Sequence, residues 1–151
     1  MRALLQRVLS ASVSIDSTIN ANIGYGYLIL VGVAPSDTIQ DCEYLIRKIL
    51  TLRVFKDEEG KMNKSVKEID GDILVVSQFT LFADLRKGNR PSWQLAAPPI
   101  QAKEMYDLFL SKITLELGKP VSSGVFGADM QISLINDGPV TIWLDSQDGL
   151  K

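Results

Sequence analysis

Residues 72–83 read DILVVSQFTLFA, an apolar, β-branched run in which only Ser77, Gln78 and Thr80 are polar after the first residue. A stretch of that composition is expected as a central strand. Residues 25–33 read the same way, as a buried strand preceded by a turn over 19–24. Near the start, Val13 and Ile15 alternate with Ser12, Ser14 and Asp16, the period-two pattern of a half-buried strand. Later, Met130, Ile132 and Leu134 alternate with Gln131 and Ser133, and Asn136-Asp137-Gly138-Pro139 turns the chain into a last strand over 140–144. Only two segments have helical spacing. Ile39, Cys42, Ile46 and Ile49 form one apolar stripe, behind a cap from Asp37 with Gln40 three residues on. Ala102, Met105, Phe109 and Ile113 form the other, opened by Pro98 and Pro99 and ended by Gly118 and Pro120. Residues 56–72 are polar and expected as a solvated hairpin or loop. Strands outnumber helices and do not alternate with them, which argues against a doubly wound parallel sheet. The expected class is α+β: a curved, mainly antiparallel, barrel-like sheet with two helices, in one domain over residues 1–151.

The chain contains no histidine. Every Ser-His, Cys-His and histidine-metal arrangement is thereby excluded, so an enzyme built on this sequence moves protons through other groups or through its substrate. A single cysteine, Cys42, excludes an internal disulfide and a cysteine-rich zinc site; no metal site and no cofactor are expected. Cys42 sits on the first helical stripe and reads as a small core residue. A reducing, cytoplasmic location is expected. No apolar stretch approaches the ~20 residues that span a bilayer, so no membrane partner is expected, and the opening residues, interrupted by Gln6 and Arg7, read as a strand and not a signal peptide. The formal charge of −2 argues against coating nucleic acid by bulk charge.

Four stretches could carry chemistry. Ser77, Gln78 and Thr80 at the end of an apolar strand either face solvent or form a site whose hydroxyls and backbone N–H groups meet a carbonyl oxyanion. Asn136-Asp137-Gly138-Pro139-Val140-Thr141 is either a plain turn or, with a cis Gly138-Pro139 bond, a rigid corner suited to a steric gate. Arg86, Lys87 and Arg90 surround Gly88 and Asn89 in a basic loop, solvated or phosphate-binding. In Gly124–Met130, two glycines bracket Phe126 without the GxGxxG spacing of a nucleotide loop.

Taken together, these stretches resemble the D-aminoacyl-tRNA deacylase family, of the D-tyrosyl-tRNA deacylase type. The resemblance runs from Met1-Arg2-Ala3 and Gln6-Arg7-Val8, through Ser77-Gln78-Phe79-Thr80-Leu81 and Lys87-Gly88-Asn89-Arg90-Pro91-Ser92, to Phe126-Gly127-Ala128, Met130 and Asn136–Thr141. It implies a homodimer that hydrolyses the ester joining a D-amino acid to the 3′-terminal adenosine of tRNA, with glycyl-tRNA as a secondary substrate. It implies that Gly138-Pro139 is cis and reaches into the partner's pocket, where it rejects L-residues. Ser77, Gln78, Phe79 and Thr80 would form the catalytic remainder of that pocket, Arg7 would brace the Gly-Pro corner, and Phe126, Ala128 and Met130 would add to the substrate site. Arg86, Lys87 and Arg90 would meet the tRNA. The absence of histidine is compatible with this chemistry: an aminoacyl ester is already activated, and the neighbouring ribose hydroxyl can help deliver water. Two other readings are a tRNA-binding module without activity, and a small hydrolase of another activated ester with Thr80 or Ser77 as nucleophile.

Overall fold

The computed structural model describes residues 1–149. Its spine is β1 (Arg2–Ile15), whose alternate residues Ala3, Leu5, Ala11 and Val13 are buried. One edge of β1 pairs antiparallel with β2 (Thr18–Ile23) and β3 (Gly26–Gly32); the other pairs antiparallel with β8 (Gln131–Asp145) along nearly its whole length. Beyond β3 the sheet is parallel, through β6 (Asp72–Ser77) to the short β7 (Ser122–Ser123). Asn20 Nδ2 donates to Ser123 O at 3.3 Å and draws β2 toward β7, so the mixed sheet is nearly closed into a barrel. A small hairpin of β4 (Phe55–Lys56) and β5 (Met62–Lys64) stands apart in the polar region.

Two apolar clusters lie on the two sides of the sheet. Tyr27, Ile29, Val31, Ile73 and Val75 pack against Cys42, Leu45, Ile46 and Ile49 of α1 (Ile39–Thr51) and Tyr106, Phe109 and Ile113 of α2 (Pro99–Leu117). On the inner side, Val8, Ala11, Val13, Leu28, Leu74 and Val76 fill the barrel. The strands β3 and β6 are thus buried on both faces, which is what their unbroken apolar runs require. Truncating one of these fully buried Ile or Leu residues to Ala costs about 2–5 kcal/mol.

The structure departs from the sequence expectations at five places. Residues 19–24 include most of strand β2, because the reversal comes earlier, at Asp16 and Ser17 with φ of 49° and 64°. Helix α1 is capped by Thr38 with Asp41 in a capping box, not by Asp37 with Gln40. Asp37 is occupied elsewhere: it accepts from the Met1 amine at 2.5 Å and from Ala34 N at 2.6 Å. Ile39 is consequently exposed at the helix start. The run 72–83 stops being a strand at Ser77, where a 3-10 turn, Phe79–Phe82, begins. Residues 136–139 do not reverse the chain; they bulge out of one continuous strand. Helix α2 begins and ends as its prolines and Gly118 indicate, with Gly118 left-handed at φ 81°. No helix among the described residues is long and apolar enough to cross a membrane.

Candidate active site

The C-terminal end of β6 carries the first part of the site. Gln78 N still donates to Val31 O at 2.7 Å, then the chain leaves the sheet and folds into the 3-10 turn. Gly32 makes this possible: a Cβ there would lie 2.9 Å from Gln78 O and 3.1 Å from the Phe82 ring. At the start of such a turn the first N–H groups have no partner within it. Among the described residues, the amides of Phe79 and Thr80 find no backbone acceptor. Gln78 Nε2 donates to Thr80 Oγ1 at 2.5 Å and so fixes that hydroxyl within the turn.

The turn borders a mostly apolar cavity of about 470 Å³. Val31, Gly32, Ser77, Gln78 and Phe79 line one side, and Pro98, Ala102, Tyr106, Phe126 and Gly127 the other. Phe79, 54% exposed, meets Trp93 edge-on at the rim, with ring centres 5.0 Å apart and planes at 75°. Tyr106 is anchored from below, its hydroxyl donating to Val75 O at 2.9 Å.

The second part of the site is the bulge in β8. Gln6 pairs with Thr141 and Val8 with Asn136, so residues 137–140 have no counterparts in a regular ladder and loop outward. The Gly138-Pro139 bond is cis, and both residues are exposed. Asn136 Nδ2 closes the base by donating to Arg7 O and Val140 O, each at 3.0 Å. Arg7 is only 2% exposed. Its Nη1 donates to Val54 O, and its Nε lies 2.9 Å from Asp137 Oδ2 as an ion pair without hydrogen-bond alignment. Gly138 has φ 119°, and a Cβ there would sit 2.8 Å from Arg7 Nη2 and 2.9 Å from Val140 Cγ2, so the packing admits only glycine.

Of the residues expected at the site, Ser77, Gln78, Phe79 and Phe126 line one cavity, and Thr80 is tied to it through Gln78. Gly138 and Pro139 lie in the bulge, Arg7 of β1 meets it through Asp137, and none of the three lines the cavity of its own chain. Ala128 is held in a turn, its N–H donating to Val125 O at 3.2 Å, and Met130 packs on the inner barrel cluster beside Gly124; neither lines the cavity. Arg86, Lys87 and Arg90 occupy an exposed loop closed by pairing of Asp84 with Ser92. Asp84 binds the Arg86 guanidinium at 2.7 Å, and this contact holds its carboxyl down at about 2. Lys87 and Arg90 are therefore the loop's unpaired cations among the described residues. Sequence reasoning missed Gly32, Trp93 and Tyr106, whose roles arise only from contacts between distant segments.

The profile of the D-Tyr-tRNA(Tyr) deacylase family matches residues 4–145. This chain belongs to that family. It is 53% identical over 146 residues to the D-aminoacyl-tRNA deacylase of Chlorobaculum tepidum, covering 97% of each chain. With the enzyme of the same name from Parabacteroides distasonis it shares 55% over 148 residues, 98% of this chain and 99% of the other. The solved structure of a c-Myc DNA Unwinding Element Binding Protein superposes with a TM-score of 0.89 at 45% identity, over 96% of this chain and 98% of that one. A probable eukaryotic D-amino acid tRNA deacylase, at 18% identity and TM-score 0.82 over 95% and 98%, shares the fold. Membership of the D-Tyr-tRNA(Tyr) deacylase family makes the chain a hydrolase.

Proposed function

We propose that this chain hydrolyses the ester bond of D-aminoacyl-tRNA and that two copies complete each site, the Gly138-Pro139 bulge of one facing the cavity of the other. The observation that carries the reading is the pair of unpartnered amides at Phe79 and Thr80 on the rim of an apolar cavity, in a chain without histidine. Two N–H groups fixed at that position suit the oxyanion that forms when water adds to the ester carbonyl. The carbon–oxygen bond to the ribose then breaks, the ribose oxygen takes the proton, and the free amino acid leaves. The ribose hydroxyl beside the ester relays that proton, so no protein base is required. The rim aromatics Phe79 and Trp93 suit the terminal adenine, and Lys87 and Arg90 suit the phosphates behind it.

Selection for the D-form follows from exclusion. A rigid corner set against the substrate Cα leaves room for hydrogen and none for a side chain, so an L-residue collides while a D-residue points its side chain outward. Glycine, with hydrogen on both sides, fits the same corner, which makes glycyl-tRNA a secondary substrate. Support for the two-copy arrangement is the edge position of β8: among the described residues it pairs only with β1, and it exposes Leu134 and Ile135 on its two faces and Trp143 near its end. An apolar strand with one free edge is a site for a second chain.

Release of tyrosine from D-tyrosyl-tRNA tests the activity. Ester loss without any acyl adduct on the protein is the expected result. Binding of tRNA without ester loss would favour a binding module, and an adduct trapped on Thr80 or Ser77 would favour a nucleophilic hydrolase.

A further inference from the structure

We propose that Arg2 is a positioning residue for the reactive turn, setting the direction of the Phe79 and Thr80 amides from the far end of that turn. This rests on the activity proposed above. A 3-10 turn of four residues supports itself poorly, because its hydrogen bonds are few and badly aligned. Here Leu81 N reaches Gln78 O at 3.3 Å and Ala83 N reaches Thr80 O at 3.0 Å. The Leu81 carbonyl has no backbone donor among those contacts. Arg2 supplies one: its Nη1 donates to Leu81 O at 2.9 Å. Its Nε lies 3.0 Å from Asp145 Oδ2 at the end of β8. The guanidinium also lies over the Phe82 ring, 4.3 Å from its centre, and 5.5 Å from that of Trp143.

Arg2 therefore grips the turn by a carbonyl and a ring together, and is itself fixed by a carboxylate and a second ring. Gln78 N on Val31 O fixes the turn's beginning, and Arg2 fixes its end. Only a planar fork serves both oxygens at once; the point charge of lysine does not. Asp145 and Trp143 belong to β8, the long strand paired with β1, so the amides are referred to the rigid frame of the sheet. A shift of the amides relative to the ester would weaken transition-state contacts while leaving tRNA binding in place.

Steady-state hydrolysis of D-tyrosyl-tRNA by Arg2→Met and Arg2→Lys proteins tests this. The expected result is a fall in kcat of about tenfold or more in both, with KM within about threefold of the parent. Asp145→Asn, which leaves the Leu81 bond in place, should lose less than either. Should Arg2→Met fail to fold, Arg2→Lys decides, since it keeps the positive charge and loses only the planar fork. A kcat within twofold of the parent in Arg2→Lys would overturn the proposal, and so would an unchanged kcat with raised KM. A parent protein inactive on D-tyrosyl-tRNA would overturn the activity reading instead. The clamp is then read by amide hydrogen exchange: faster exchange at residues 78–83 but not in α2 of the Arg2→Lys protein supports it, and unchanged exchange overturns it.

Discussion

Asn136 holds more of the site together than its size suggests. One side-chain nitrogen satisfies the carbonyls of Arg7 and Val140 on either side of the bulge. Asn136→Ala leaves both part-buried carbonyls without that donor, at a cost of about 1–3 kcal/mol. Chemical denaturation should show that loss, and the ratio of D- to L-tyrosyl-tRNA turnover should fall with it; an unchanged ratio would separate the bulge from selectivity. Cys42 makes the opposite case. It is fully buried, and burial pushes its thiol up to about 12, so at pH 8 it is protonated and unreactive. Ellman's reagent should label it only after unfolding, and rapid labelling of the native protein would contradict the packing. Both residues were visible in the sequence, but only the role of Cys42 could be read there. Its helical spacing declares a core position, whereas Asn136 sits in a string that also describes an ordinary turn. What makes Asn136 a clamp is β1, more than a hundred residues away in the chain.

The two elements that build the site, the turn after β6 and the bulge in β8, both break the pattern of their own sequence. Residues 72–83 look like one strand because apolar content continues past Ser77, yet the ladder ends there. The reason is tertiary: Gly32 lets the chain fold back within van der Waals range of β3. Gly32→Ala would push a methyl group against Gln78 O and the Phe82 ring, displacing the amides. Turnover should fall more than about tenfold while the helices, as seen by circular dichroism, stay intact. Full activity in that variant would mean the turn's position does not matter. The helices were legible because a stripe at three- and four-residue spacing has one explanation, and Pro98, Pro99 and Gly118 mark the ends of α2. Asp37 does not cap α1 because it is drawn off to the Met1 amine, a partner that local sequence cannot reveal.

At the scale of the whole molecule, the cavity and the bulge belong to one chain, yet the bulge lines no part of that chain's cavity. The proposed pairing of two copies at β8, each lending its bulge to the other, would account for both facts. Ile135→Glu places a charge on the exposed part of β8. Sedimentation should then show monomers, and hydrolysis should be lost; an active monomer would contradict the shared site. Complementation gives a sharper result. A Gly138→Val protein keeps an intact cavity and a Gly32→Val protein keeps an intact bulge. After the two are unfolded and refolded together, hybrids should restore about a quarter of parental activity, since half the dimers carry one complete site of two. The α+β class and the near-barrel were legible from the irregular order of strands and helices, but which surface stays open depends on how β8 lies along β1.

The most direct measurement is the rate of ester loss from matched D- and L-tyrosyl-tRNA at equal enzyme concentration. The expected result is fast release of D-tyrosine with L-tyrosyl-tRNA left at its spontaneous rate of hydrolysis. Comparable rates on the two substrates would contradict selection by the Gly138-Pro139 corner, and no release from either would contradict the deacylase itself.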